Sequence, residues 1–336
     1  MKRAILILWF TIVTVGGPFA WFWGRSSLES LRDLGLQKLK EGDDLHAGTL
    51  LEEWLKDHPD DFTVRGLLVD SYRSSGRSQD AIRHLKQLVE APRNQNRRAE
   101  HLRILAATAS QVDDFLTAEY ALKEILKDTP DAYAANLALA ELYFRTERST
   151  DALPYIEKSI SANPGRAHSY LLMAEALSEC GRHVEMVPWL EKCVELEPGL
   201  LAARANLAFA YQASGRTSAA IQEAEICLQQ DPENVAVQFI LAQCLRDEGR
   251  SSDSLQIVQS ILKTQPMNLD AALLEADLLF FMKRADEAYE HLRPLAEHFP
   301  ENRPLINHLM RAAALRGDRS SANHWKDVME RLLKAP

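Results

Sequence analysis

Large apolar residues recur along this chain at two offsets of one fixed period. Leu34, Leu68, Leu105, Leu139, Met173, Leu207, Leu241 and Leu309 mark the first offset. Leu51, Leu85, Leu122, Ile156, Leu190, Val258 and Leu292 mark the second. Each lies in a helix-period apolar face, so the pattern predicts pairs of amphipathic helices. The period itself is set by Pro130, Pro164, Pro198, Pro232, Pro266 and Pro300, each 34 residues from the next. Self-similarity at such a spacing signals a repeat architecture.

With that proline as position 32, nine units begin at Leu28, Phe62, Ala99, Tyr133, Ala167, Leu201, Val235, Leu269 and Arg303. They span 28–61, 62–95, 99–132, 133–166, 167–200, 201–234, 235–268, 269–302 and 303–336. One join is irregular: Pro92 falls one residue early, and Asn96 to Arg98 are inserted before the third unit.

Small residues stand where two helices must cross. Position 8 is Gly35, Ala106, Ala140, Ala174, Ala208, Ala242 or Ala276, with Val69 and Met310 departing. Position 20 is alanine at 47, 81, 118, 152, 220, 288 and 322, with Met186 and Ser254 departing. Gly42, Gly76, Gly181, Gly215, Gly249 and Gly317 occupy position 15, where a residue with positive φ closes the first helix. Asp113, Glu147 and Lys283 replace glycine in the other three units. Proline at position 32 sits near the end of the second helix, whose hydrogen-bond ladder it cannot continue.

These residues resemble the tetratricopeptide repeat (TPR) family over Leu28 to Pro336, including an aromatic at position 11 in Tyr72, Tyr143 and Tyr211. The family's frequent tryptophan at position 4 is absent; Leu31, Arg65, Leu102, Asn136, Tyr170, Arg204, Gln238, Ala272 and Ile306 stand there. The resemblance implies an all-α, right-handed α-solenoid of about nine helix pairs. It also implies a non-enzymatic scaffold that binds protein or peptide segments in a groove lined by the first helix of each pair.

Applied from the fourth unit onward, the groove positions give Leu137, Leu171, Ala205, Phe239 and Leu273 at position 5, and Glu141, Glu175, Phe209, Gln243 and Asp277 at position 9, with Asn206 at position 6. An apolar strip beside acids predicts a partner segment that combines apolar anchors with Lys or Arg. The rival reading packs the leucines between repeats and leaves the acids solvated. The carboxylate-clamp pattern of chaperone-tail TPR domains matches no three consecutive units.

The first residues add a different expectation. Lys2 and Arg3 precede an uncharged stretch from Ala4 to Trp23, long enough as a helix to cross about 30 Å of hydrocarbon. The aromatics Trp21, Phe22 and Trp23 resemble an interfacial belt. This predicts a cytoplasmic tail at 1–3, a transmembrane anchor at 4–23 and an extracytoplasmic array, hence a single-pass membrane protein. A cleaved signal peptide, and so a secreted module, is the alternative. A subunit of a secretion or envelope-assembly complex is a further functional reading.

Composition narrows the chemistry. A net charge of −9 leaves no basic face for phosphates, so no nucleic-acid partner is expected. Cys180, Cys193, Cys227 and Cys244 form no C-x-x-C pair and read as small core residues, with a disulfide as the alternative. His183-Val184-Glu185 matches half of a zinc deaminase signature, but no C-x-x-C accompanies it. No metalloprotease, phosphate-loop or nucleophile-elbow motif occurs. No catalytic residue, metal or cofactor is expected.

Overall fold

The computed structural model describes residues 31–91 and 97–334. Among them every regular element is helical. The chain divides into two compact units, one through Asn163 and one from Pro164.

Unit 1 holds α1 (31–40), α2 (Asp44–Asp57), α3 (Phe62–Ser74), α4 (Ser78–Glu90), α5 (Arg98–Gln111), α6 (Phe115–Asp128), α7 (Tyr133–Arg145) and α8 (Ser149–Ala162). Unit 2 holds α9 (Ala167–Glu179), a 3-10 turn (His183–Met186), α10 (Val187–Leu196), α11 (Leu201–Ala213), α12 (Thr217–Gln230), α13 (Val235–Asp247) and α14 (Ser251–Thr264). It continues with α15 (Leu269–Phe281), α16 (Ala285–Leu292), α17 (Leu295–His298), α18 (Arg303–Leu315) and α19 (Arg319–Lys334). Within each unit, successive helices pack as TPR-like pairs.

The turn inside each pair has one construction. Position 15 takes a positive φ, as at Gly76 (73°) and Gly215 (73°), and the next N–H reaches back to the carbonyl five residues before it. Arg77 donates to Tyr72 O at 2.7 Å and Arg216 to Tyr211 O at 2.8 Å. That bond satisfies a carbonyl the helix end would otherwise leave orphaned. Asp113, Glu147 and Lys283 hold the same conformation at φ 57°, 57° and 61° despite their Cβ atoms, a strained arrangement for an L-residue.

The crossings are as tight as small residues allow. Ala47, Ala81, Ala140, Ala152, Ala208, Ala220 and Ala288 are fully buried. A Cβ added at Gly35 would stand 2.7 Å from Leu51 Cδ2. Ser254, an exception at position 20, donates its hydroxyl to Ala242 O at 2.6 Å and so remains satisfied in the core. Met186, the other exception, is buried at the end of the 3-10 turn that precedes α10.

Two further contacts join neighbouring repeats. Position 4 donates to the carbonyl of the proline six residues earlier: Arg65 to Pro59 (2.7 Å), Asn136 to Pro130 (2.8 Å), Tyr170 to Pro164 (3.1 Å), Arg204 to Pro198 (2.8 Å) and Gln238 to Pro232 (2.6 Å). Position 11 tyrosine donates to a carboxylate on the preceding repeat, and the position 16 arginine covers its ring. Tyr72 reaches Glu52 (2.6 Å), Tyr143 reaches Glu119 (2.9 Å) and Tyr211 reaches Glu191 (3.0 Å). Arg77, Arg148 and Arg216 lie over the three rings.

One expectation is corrected. The stretch 4–23, on which a membrane-spanning helix was expected, lies outside the described residues. Among the described residues no helix is long and apolar enough to cross a membrane, which overturns the expected single-pass membrane protein with an extracytoplasmic array. The physical reason is length and polarity. The longest described helix, α19, has 16 residues, and at 1.5 Å each it reaches about 24 Å against a hydrocarbon core of about 30 Å. No disulfide joins the four cysteines, in keeping with their reading as small core residues, and burial pushes Cys193 and Cys244 up to about 11.

Candidate partner-binding groove

In unit 1, α5 and α7 stand side by side over α6 and enclose a cavity of about 650 Å³. Its α5 wall carries Ala99, Arg103, Ala106, Ala107 and Ser110, and its α7 wall carries Ala134, Ala138, Glu141 and Arg145. Leu122 and Ile125 of α6 form the floor. The volume follows from the side chains: at positions 2, 6 and 9 the walls present methyl groups where larger residues would fill the space.

Charge sits at the margins. Arg145 Nη2 donates to Asp113 Oδ1 at 2.6 Å, and its guanidinium lies 5.1 Å from the Phe115 ring centre. The strained turn residue Asp113 thus fixes a groove arginine. Arg103 is exposed, and its Nε donates to Ala99 O at 3.2 Å. Glu141 is exposed on the opposite wall.

The residues singled out from sequence fall in both units. Leu137 and Glu141 are on α7; Glu141 lines the cavity, while Leu137 is half-buried on the same helix. In unit 2, Leu171 and Glu175 lie on α9, Asn206 and Phe209 on α11, Phe239 and Gln243 on α13, and Leu273 and Asp277 on α15, all half-buried. Their surroundings are occupied. Phe239 and Leu273 pack against the unit 2 core. The His183 ring meets Phe209 edge-on at 5.0 Å, and Gln212 donates to Gln243 at 2.9 Å.

Of the acids there, Asp277 is paired and Glu175 is half-buried. Asp277 Oδ1 is 3.3 Å from Arg311 Nη1 and 3.4 Å from His308 Nε2, and Arg311 itself covers Phe280. Burial raises the Glu175 carboxyl above the usual carboxylate value. Reading by repeat position missed Arg311 because it stopped one unit short, and missed the α5 wall because it began one unit late. Both were open to the same register: Arg311 is position 9 of the ninth unit, and Ala107 is position 9 of the third.

Among the described residues no group of three His, Cys, Asp or Glu side chains is arranged to hold a metal ion. Tetratricopeptide repeat profiles match residues 105–167, 167–199 and 213–278. This chain carries TPR repeats. The TPR fold is also found in PilF of Pseudomonas aeruginosa, with a TM-score of 0.50 and 17% identity over 62% of this chain and 94% of that one. Weaker likenesses include MamA (TM-score 0.48, 17% identity, 51% of this chain and 93% of that one). YrrB, described as a TPR protein with an unusual peptide-binding site, has a TM-score of 0.44 and 19% identity over 53% of this chain and 91% of that one. At 17% identity the likeness to PilF is one of fold alone. Comparison with curated protein sequences gives no match.

Proposed function

We propose that this chain is a non-enzymatic interaction scaffold and that the α5–α7 groove of unit 1 receives a partner segment carrying bulky apolar side chains. The observation that supports this reading is the cavity of about 650 Å³ between two walls of alanine methyls. Such a groove offers apolar surface and space but few fixed polar contacts, so its affinity comes from desolvating large side chains against the alanines and Leu122. Arg103 at the rim favours an acidic residue beside those anchors, because it is exposed and its Nε donates to the Ala99 carbonyl rather than to a carboxylate. A partner chosen for Lys or Arg would instead suit unpaired acids, and Asp277 is already paired with Arg311.

Selection of a phage-displayed random peptide library on the whole chain tests this. The expected consensus has two large apolar residues flanking an acid, and the selected peptide should bind at least tenfold more weakly to Ala107→Trp and Ala138→Trp chains of unchanged helicity. Either no enrichment, or peptides whose affinity ignores both tryptophans, would overturn the reading.

A further inference from the structure

From the second unit on, position 7 of the repeat is a core position, filled by Leu68, Leu105, Leu139, Met173, Leu207, Leu241 and Leu309, all buried, whereas Leu34 of the first unit is exposed. In the eighth unit it is Glu275, which is only 2% exposed. A carboxylate inside a helical core is unfavourable unless its charge is balanced and its oxygens accept hydrogen bonds. Here the balance is partial. Gln259 Nε2 on α14 donates to Oε1 at 3.2 Å, and His291 Nδ1 on α16 lies 2.9 Å from Oε2. The His291 side chain is 49% exposed, so the acid's nearest titratable partner is itself half in solvent.

Glu275 also lines a cavity of about 490 Å³ between α14, α15 and α16. Leu262, Pro266, Pro294 and Leu295 give that cavity apolar walls, while Lys263 and Glu290 also line it, so its carboxylates, Glu275 and Glu290, outnumber its one lysine. A partly apolar passage with an excess of carboxylate over lysine, leading to a buried carboxylate, has the shape and chemistry of a receptor for a long stem that ends in a cation. A bare metal ion would leave the apolar walls unused, and a neutral ligand would leave the acid no better balanced.

We propose that this cavity receives the lysine or arginine side chain of a partner protein. The stem lies against Leu262, Pro266 and Leu295, and the cation is held on Glu275, next to or in place of His291. Such a stem buries apolar area while its head makes a charge-assisted hydrogen bond to an acid that water scarcely reaches. The site belongs to unit 2 and stands independently of the groove in unit 1.

The test uses the whole chain with carbon-13 label in its histidines, and acetyl-Gly-Arg-Gly-amide as the probe. The His291 signal, assigned by its loss in His291→Gln, should move saturably on titration. The isosteric peptide with citrulline in place of arginine should bind at least tenfold more weakly. Glu275→Gln should abolish the movement. Glu275→Leu restores the residue type of the other repeats, so it should melt at or above the parent temperature and also show no movement. The proposal is overturned by a parent chain whose His291 signal does not saturate, by equal responses to arginine and citrulline, or by binding that survives in Glu275→Leu.

Discussion

Equivalent repeat positions are open in one unit and filled in the other. Between α5 and α7, positions 9, 2 and 6 are Ala107, Ala134 and Ala138, and the walls enclose a cavity. On α11, α13 and α15 of unit 2, position 9, the place of Ala107, holds Phe209, Gln243 and Asp277, which stack or pair with neighbours. The backbone pattern is common to both, so a TPR-like framework does not by itself make a binding surface. What decides is whether the side chains at those positions already satisfy one another.

The largest effect that would sharpen this comparison comes from the crossings, which should be equally intolerant in the two units. Ala152→Leu in unit 1 and Ala208→Leu in unit 2 each insert bulk at a fully buried site. Each should cost about 1–3 kcal/mol, read as a lower denaturant midpoint. An unchanged midpoint in one of them would mean that its crossing is looser than its neighbour's.

A smaller contrast is expected at the tyrosine joints. Tyr143→Phe leaves the Glu119 carboxylate, 17% exposed, short of a donor, whereas Tyr211→Phe affects Glu191, 46% exposed. The first should cost about 1 kcal/mol and the second less, because water replaces the lost donor more easily at the exposed acid. Equal costs in chemical denaturation would remove that distinction.

The strained turns predict gains of comparable size. Glu147→Gly in unit 1 and Lys283→Gly in unit 2 relieve a positive φ and should each raise stability by about 0.5–1 kcal/mol. Asp113→Gly should gain less, since it also releases Arg145.

Acid should separate the units most gently. In unit 1, burial, reinforced by the Arg65 guanidinium, holds His84 below its ordinary value of 6.5, and burial lowers His101 in the same way. Their contribution is complete above pH 6.5 and is lost as pH falls through the depressed folded values. Glu175 in unit 2 has the opposite sign. Its raised value favours the fold below its ordinary 4.5, a contribution lost as pH rises through the folded value. Thermal melts between pH 7 and 5 should therefore weaken the parent chain more than His84→Gln/His101→Gln; parallel slopes would contradict the assignment.

The features of the fold most legible from sequence were those where one residue type has one physical job. Alanine at position 8 or 20 and glycine at position 15 announce a close crossing or a positive φ wherever they occur. The position 4 joint was hidden for the converse reason. Arg65, Asn136, Tyr170, Arg204 and Gln238 share no class, only a donor on an arm long enough to reach a carbonyl six residues back. Read against a family preference for tryptophan, they looked like departures. The groove was obscured differently: its evidence is an absence of bulk at Ala107, Ala134 and Ala138, which carries meaning only once the opposing wall is known.

The position 4 bond has a bearing on how such an array could be cut and rejoined. Donor and acceptor lie six residues apart on either side of the repeat boundary, so the fastening between two repeats is written entirely in the local chain. A segment excised from one position 15 turn to the next, such as 182–215, carries one whole fastening with it. The same length cut at the prolines would sever one at each end. For recombination, the portable module of this protein therefore runs from turn to turn, out of step with the helix hairpin that the eye takes as its unit.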